Sequence, residues 1–214
     1  MSLILLYELL GATLQTIYMI VVSTIVVIIL GLPLGTWLFS ARCVYPNKFL
    51  YKTLSMVINA TRSIPFIILL VALIPITRFI VGTSIGMHAA MVPLVLGAVP
   101  YFARLVDNVY INVANGLLET GGSMGMSGMQ IIRYLLLPES VPALIQAVTV
   151  TAITLVNYTA MAGTVGGGGL GDFAIRYGYQ RFNPMVMLLT VIILIIMVQG
   201  MQMLGDKLVS KYTR

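Results

Sequence analysis

Two stretches, GTSIG at 82–86 and GGSMG at 121–125, carry the G-x-S-x-G spacing of a nucleophilic serine, and GMSG at 125–128 has the form used by intramembrane serine proteases. A serine nucleophile needs a base within hydrogen-bond reach, most often histidine. His88 is the only histidine, near Ser84 but far along the chain from Ser123 and Ser127, and no acid lies beside it to orient the ring. Serine hydrolysis is therefore a remote alternative, and His88 reads as a polar cap at a helix entry. One histidine, one cysteine (Cys43) and six scattered acids supply no metal-ligand set. A P-loop needs glycine-lysine before its hydroxyl residue, and the four lysines follow Asn47, Tyr51, Asp206 and Ser210. Gly166, Gly168 and Gly171 satisfy G-x-G-x-x-G, but the dinucleotide motif needs an acid about 20 residues on, and here Asp172 follows at once. Those glycines fit a tight re-entry or a close helix contact instead. No cofactor is expected in this chain.

The elements that hold these residues are set by composition. The chain is 59% hydrophobic and 8% charged, with a mean hydropathy of +1.03. A soluble domain carries roughly a quarter charged residues, so the expectation is an all-α integral membrane protein forming a single domain over 1–214. A span needs about 20 mostly apolar residues. Five fit, over about 12–40, 53–78, 87–105, 141–165 and 183–206. The start, MSLILLYELLGATLQ, lacks a basic leader region and a small-residue cleavage site, and is read as mature sequence. With the N-terminus outside and the C-terminus cytoplasmic, nine basic residues (Arg42, Lys48, Lys52, Arg62, Arg104, Arg133, Lys207, Lys211, Arg214) face the cytoplasm. Only Arg78, Arg176 and Arg181 lie outside. Basic loops beside anionic lipid account for the net charge of +6, so no nucleic-acid partner is implied.

Within this frame, Leu3, Leu6, Tyr7 and Leu10 suggest a short interfacial helix before the first span, and Gly31-Leu32-Pro33-Leu34-Gly35 a kink inside it. The second span opens with Arg62-Ser63-Ile64-Pro65 and closes with Ile74-Pro75-Ile76. Its two prolines free backbone carbonyls that lipid cannot satisfy, which fits either a kinked packing helix or one facing a solute path. Between Leu117 and Pro138 two short helices join at Gly125. Met126, Met129, Ile132 and Leu136 form an apolar stripe, and Pro138 is expected to stop the element. Such an elbow can pack on its own spans or enter a partner's groove.

That elbow resembles the cytoplasmic EAA coupling loop of ABC-transporter permeases, here about 108–140. The family pattern is Glu-Ala-Ala, a glycine four positions on, nine residues, then hydrophobic-x-Leu-Pro. The matching residues are Glu119-Thr120-Gly121, Gly125 and Leu135-Leu136-Leu137-Pro138. Thr120 and Gly121 replace the two alanines with small residues of lower helix propensity. RSIPFIILL at 62–70, VGTSIG at 81–86, VPYFARLVDN at 99–108 and the stretch NYTAMAGTVGGGGLGDFAIRYGY resemble, in order, the methionine-importer permease.

The resemblance implies a type I ABC importer permease fold with five transmembrane helices, in the bacterial inner membrane. It implies a homodimer bound to two ABC ATPase subunits, with an external substrate-binding lipoprotein delivering methionine. A polar amino-acid or small-peptide importer of the same superfamily is the alternative. The coupling residues would be Glu119, Gly125, Met129, Ile132, Leu136 and Pro138. For the path or gate, Asn157, Tyr158 and Met161 form a polar-aromatic-thioether cluster before the Gly-rich turn, joined by Pro65 and Arg62. Met161 is flexible enough to close against its symmetry mate, and the matching positions of the family are thought to line the gate. Arg62 is the charge nearest a membrane interior, with three possible destinations: Asp107, a substrate carboxylate, or the lipid interface.

Overall fold

Proline and glycine positions decide where this chain bends and where its helices meet. The computed structural model describes residues 3–114 and 116–213, and every regular element among them is helical. Helix α1, Leu3–Val44, runs for 42 residues, about 60 Å at the α-helical rise. That is twice the hydrocarbon core. The N-terminal amphipathic stretch is therefore the first turns of this rod and not a separate interfacial helix. The rod also continues through Pro33. Its flanking glycines serve contact: a Cβ on Gly31 would meet the Phe102 ring at 2.8 Å, and one on Gly35 would meet the Ala103 carbonyl at 2.5 Å.

The segment read as one second span is broken. Helix α2, Lys48–Ser63, starts at Asn47, whose side chain accepts from the Leu50 N–H at 3.0 Å. It ends before Pro65, because a residue preceding proline is pushed out of the helical region. Ile64 is extended at φ −79°, ψ 124°. The next helix, α3 at Phe66–Ala72, departs at 101° to α2. Helix α4, Ile74–Val81, follows and is closed by Gly82 in the left-handed region.

Helix α5, Met87–Val113, extends well past residue 105, the expected end of the third span. After α6, Leu117–Ser123, a turn at Gly125 (φ +72°) leads into α7, Gly128–Gly163. Pro138 does not stop this element, contrary to the sequence expectation. Residues Ile131–Leu136 form a wider π-type turn, and the Leu137 N–H reaches the Ile132 carbonyl, five residues back. The i→i+5 pattern makes room for the proline ring just beyond it. Helix α8, Gly169–Phe173, continues into a second π-type stretch, Ala174–Tyr179. Helix α9, Pro184–Tyr212, capped by Asn183, closes the chain.

Among the described residues, four helices are long and apolar enough to cross a membrane, and a fifth crossing results if the bent pair α2–α3 counts as one. The core lies where α1, α5 and α7 meet, around Met19, Val27, Leu94, Phe102, Val106, Leu136 and Leu155. Helix α9 stands at the edge, with only Val186, Thr190 and Gly205 buried. Gly205 lies directly against Thr149 of α7.

Candidate functional site

The elbow is built from two opposed requirements, an anchored underside and an open crest. Ile131, Ile132 and Leu136 are buried, and Gly121 exists to admit Ile131, whose side chain a Cβ there would meet at 2.6 Å. Ile132 and Leu136 thus anchor the elbow and cannot touch a partner directly. The crest is different: Glu119, Gly125 and Pro138 are exposed. Met124 is 71% exposed, Met129 64% and Tyr134 62%. A large apolar crest without a cover marks an interaction surface. The Ser127 hydroxyl accepts from Gln130 N–H while the Gln130 side chain accepts from Ser127 N–H at 2.7 Å, a capping box that fixes the start of α7. The Ser123 hydroxyl donates to the Glu119 carbonyl. These serines therefore serve helix ends, while His88 packs edge-on against Tyr18.

The expected cluster on α7 divides. Adjacent residues on a helix point about 100° apart, so Asn157 and Tyr158 serve different faces. Asn157 opens into a shallow groove beside α9, with Val191, Leu194 and Gln199. The Tyr158 ring stacks on Phe66 at 4.1 Å and 3°. Together they form part of a cavity of about 220 Å³ at the α2–α3 bend, which Arg62, Leu69, Gly97 and Tyr101 also line. Pro65 is exposed and makes the bend. Met161 is 44% exposed and shares one open face of α7 with Gln146, Val150 and Asn157.

Arg62 does not pair with Asp107. The Asp107 carboxylate accepts from Arg104 at 2.9 Å, and Arg104 also donates to Ser55 (2.6 Å) and Asn59 (2.9 Å) of α2. Arg62 instead lies over the Tyr101 ring, 5.7 Å from its centroid. The Arg104 fork escaped the sequence reading, although its i,i+3 spacing to Asp107 is a helical ion-pair signal. The Phe66–Tyr158 stack had no local signal.

At the opposite end from the elbow, the Gly-rich turn is held by α1. The Gly169 N–H donates to Gln15 Oε1 (3.0 Å), the Leu170 N–H to Thr16 Oγ1 (2.8 Å), and the Gly86 N–H to the Gly166 carbonyl (2.9 Å). Gly166, Gly168 and Gly169 all have positive φ. These glycines thus make a close turn against α1 and α5. Nearby, Arg176 pairs with Asp172 at 2.6 Å. A bond to Glu8 pushes the Tyr177 hydroxyl above its ordinary pKa.

Residues 28–207 match the family described as the binding-protein-dependent transport system inner membrane component. A probable D-methionine transport system permease protein MetI of Vibrio cholerae is 49% identical over 205 residues, covering 95% of this chain and 91% of that one. The D-methionine transport system permease protein MetI of Escherichia coli K12 is 50% identical over 151 residues, 70% of each. Among solved structures, a chain of the inward-facing MetNI methionine ABC transporter superposes with a TM-score of 0.97 at 46% identity over the full length of both. An amino acid ABC transporter crystallised with histidines shares the fold at TM-score 0.74 and 19% identity.

Proposed function

The chain belongs to the family of binding-protein-dependent transport system inner membrane components, and from that premise we propose that two copies of it line one path for methionine across the inner membrane. The elbow faces the cytoplasm, where Met124, Met129 and Tyr134 seat in a groove on an ATPase subunit, one per copy. An external binding protein delivers the substrate at the Gly-rich end. ATP is hydrolysed in the partner subunits, and this chain supplies the path.

The observation that carries the proposal is the continuity of α7. It runs for 36 residues from the elbow to Gly163, two residues past Met161, roughly 50 Å at the α-helical rise. A displacement imposed at the elbow is delivered along one rod to the residues of the gate. ATP drives transport only to the extent that it favours one of the two states of that rod. The open face of α7 supports the pairing of two copies. Gln146 and Asn157 lie on it uncovered, and amides at membrane depth need a protein or water partner.

The test is a complex purified with its ATPase and reconstituted into vesicles. Met129→Asp places a charge on an exposed crest without straining the backbone, and Gly125→Trp blocks the turn. Each variant is expected to insert normally yet to lose ATP-driven methionine uptake by at least tenfold. Wild-type uptake in both would refute the coupling role of the elbow.

A further inference from the structure

We infer that the cavity at the α2–α3 bend is a carboxylate-recognition site for an amino acid with an apolar side chain, with Arg62 as its anion-binding group. The inference rests on the permease reading and adds what each copy recognises.

Arg62 makes no ion pair among the described residues, since the two salt bridges present are Arg104–Asp107 and Arg176–Asp172. An exposed arginine with no partner carboxylate, set at the mouth of a cavity, is a candidate anion-binding group. Asp107, the acid that could have neutralised it, is taken by Arg104. Arg62 lies instead over the Tyr101 ring, which orients the guanidinium, and among the described residues no side chain pairs with its N–H fork. A planar fork of donors fits a carboxylate in two-point fashion.

The rest of the cavity is graded in polarity. Thr61, Arg62 and the tyrosines Tyr101 and Tyr158 supply its polar groups; Ile64, Phe66 and Leu69 supply its apolar wall. Gly97 lets that wall close in, because a Cβ there would meet Leu69 at 3.2 Å and Phe66 at 3.5 Å. The Tyr158 ring is immobilised by its stack on Phe66. A carboxylate at Arg62 would therefore place an apolar side chain along Phe66 and Leu69. No Asp or Glu lines the cavity. Only the carboxylate then meets an opposite charge, while the ammonium has hydroxyls alone to bond, so the site is expected to accept the α-hydroxy acid and to bind the decarboxylated amine far more weakly.

Cys43 is the only cysteine of this chain, so Cys43→Ser with Thr61→Cys gives the chain one reporter thiol, on the cavity wall, and labelling is read on the permease separated from its partners. The reconstituted complex is labelled with N-ethylmaleimide in the presence of millimolar L-methionine, its α-hydroxy analogue, or 3-(methylthio)propylamine. The expected result is at least threefold slower labelling with the first two and no change with the amine. Arg62→Gln should abolish the protection and Arg62→Lys should retain part of it. Protection by the amine, or undiminished protection in Arg62→Gln, overturns the proposal. Uptake by vesicles with the unaltered cavity, measured with ATP and the binding protein, separates the two levels. Methionine uptake without methionine protection sinks the carboxylate site alone, and absence of uptake sinks the permease reading with it.

Discussion

Arg104 shows how one side chain can tie the elbow end of the bundle together. It neutralises Asp107, which is fully buried, and its second nitrogen holds Ser55 and Asn59 of α2. Arg104→Gln would leave a buried carboxylate without its cation. Breaking such a pair costs about 3–5 kcal/mol, and the low end applies because the Arg104 side chain is 15% exposed. Thermal unfolding of the detergent-solubilised protein should show that loss, and Arg104→Gln with Asp107→Asn should recover part of it. Equal stability of the single variant and the wild type would mean that solvent already screens the pair. This fork also explains why Arg62 is left without an acid. Two arginines compete for one acid, and the one on the same helix wins because i,i+3 geometry needs no other element to fold first.

At the scale of the helices, small residues decide distances. A Cβ on Gly35 would meet the Ala103 carbonyl oxygen at 2.5 Å and the Val106 side chain at 2.6 Å, so Gly35→Ala must push α1 away from α5. Overpacking of this kind costs about 1–3 kcal/mol. Gly200 on α9 has open space where its Cβ would be, and Gly200→Ala should instead stabilise by up to about 1 kcal/mol through helix propensity. Opposite shifts of the unfolding midpoint check this pair, and shifts of the same sign would contradict the packing. The elements were largely legible because uncharged runs long enough to cross a membrane have few other uses. Four of the five expected segments fall on long helices. The second falls on a bent pair of helices, and the bend was not legible because hydropathy ignores direction: Ile64-Pro65 sits inside an apolar run, and only the pre-proline restriction shows that the chain turns there. The expected halt at Pro138 erred the other way, since a wider turn upstream absorbs the proline. At the site, the elbow's glycine and its apolar stripe were readable from spacing. Which stripe residues point inward was not, and no local pattern could pair Phe66 with a tyrosine 92 positions away.

For the whole molecule, the proposed function makes α7 a lever that joins a driven elbow to a gate shared by two copies. Gln146, Val150, Asn157 and Met161 lie on an open face of α7, and in the proposed dimer, where a second copy covers that face, the contact changes when the lever moves. The direct measurement uses Cys43→Ser with Met161→Cys in the reconstituted complex, and follows the yield of cross-linking between the two introduced thiols, one per copy, with a short bifunctional reagent. The yield is expected to differ severalfold between nucleotide-free and ATP-trapped complexes, and the difference to vanish when Gly125→Trp is added. A cross-linking yield that is the same in both nucleotide states would contradict the lever.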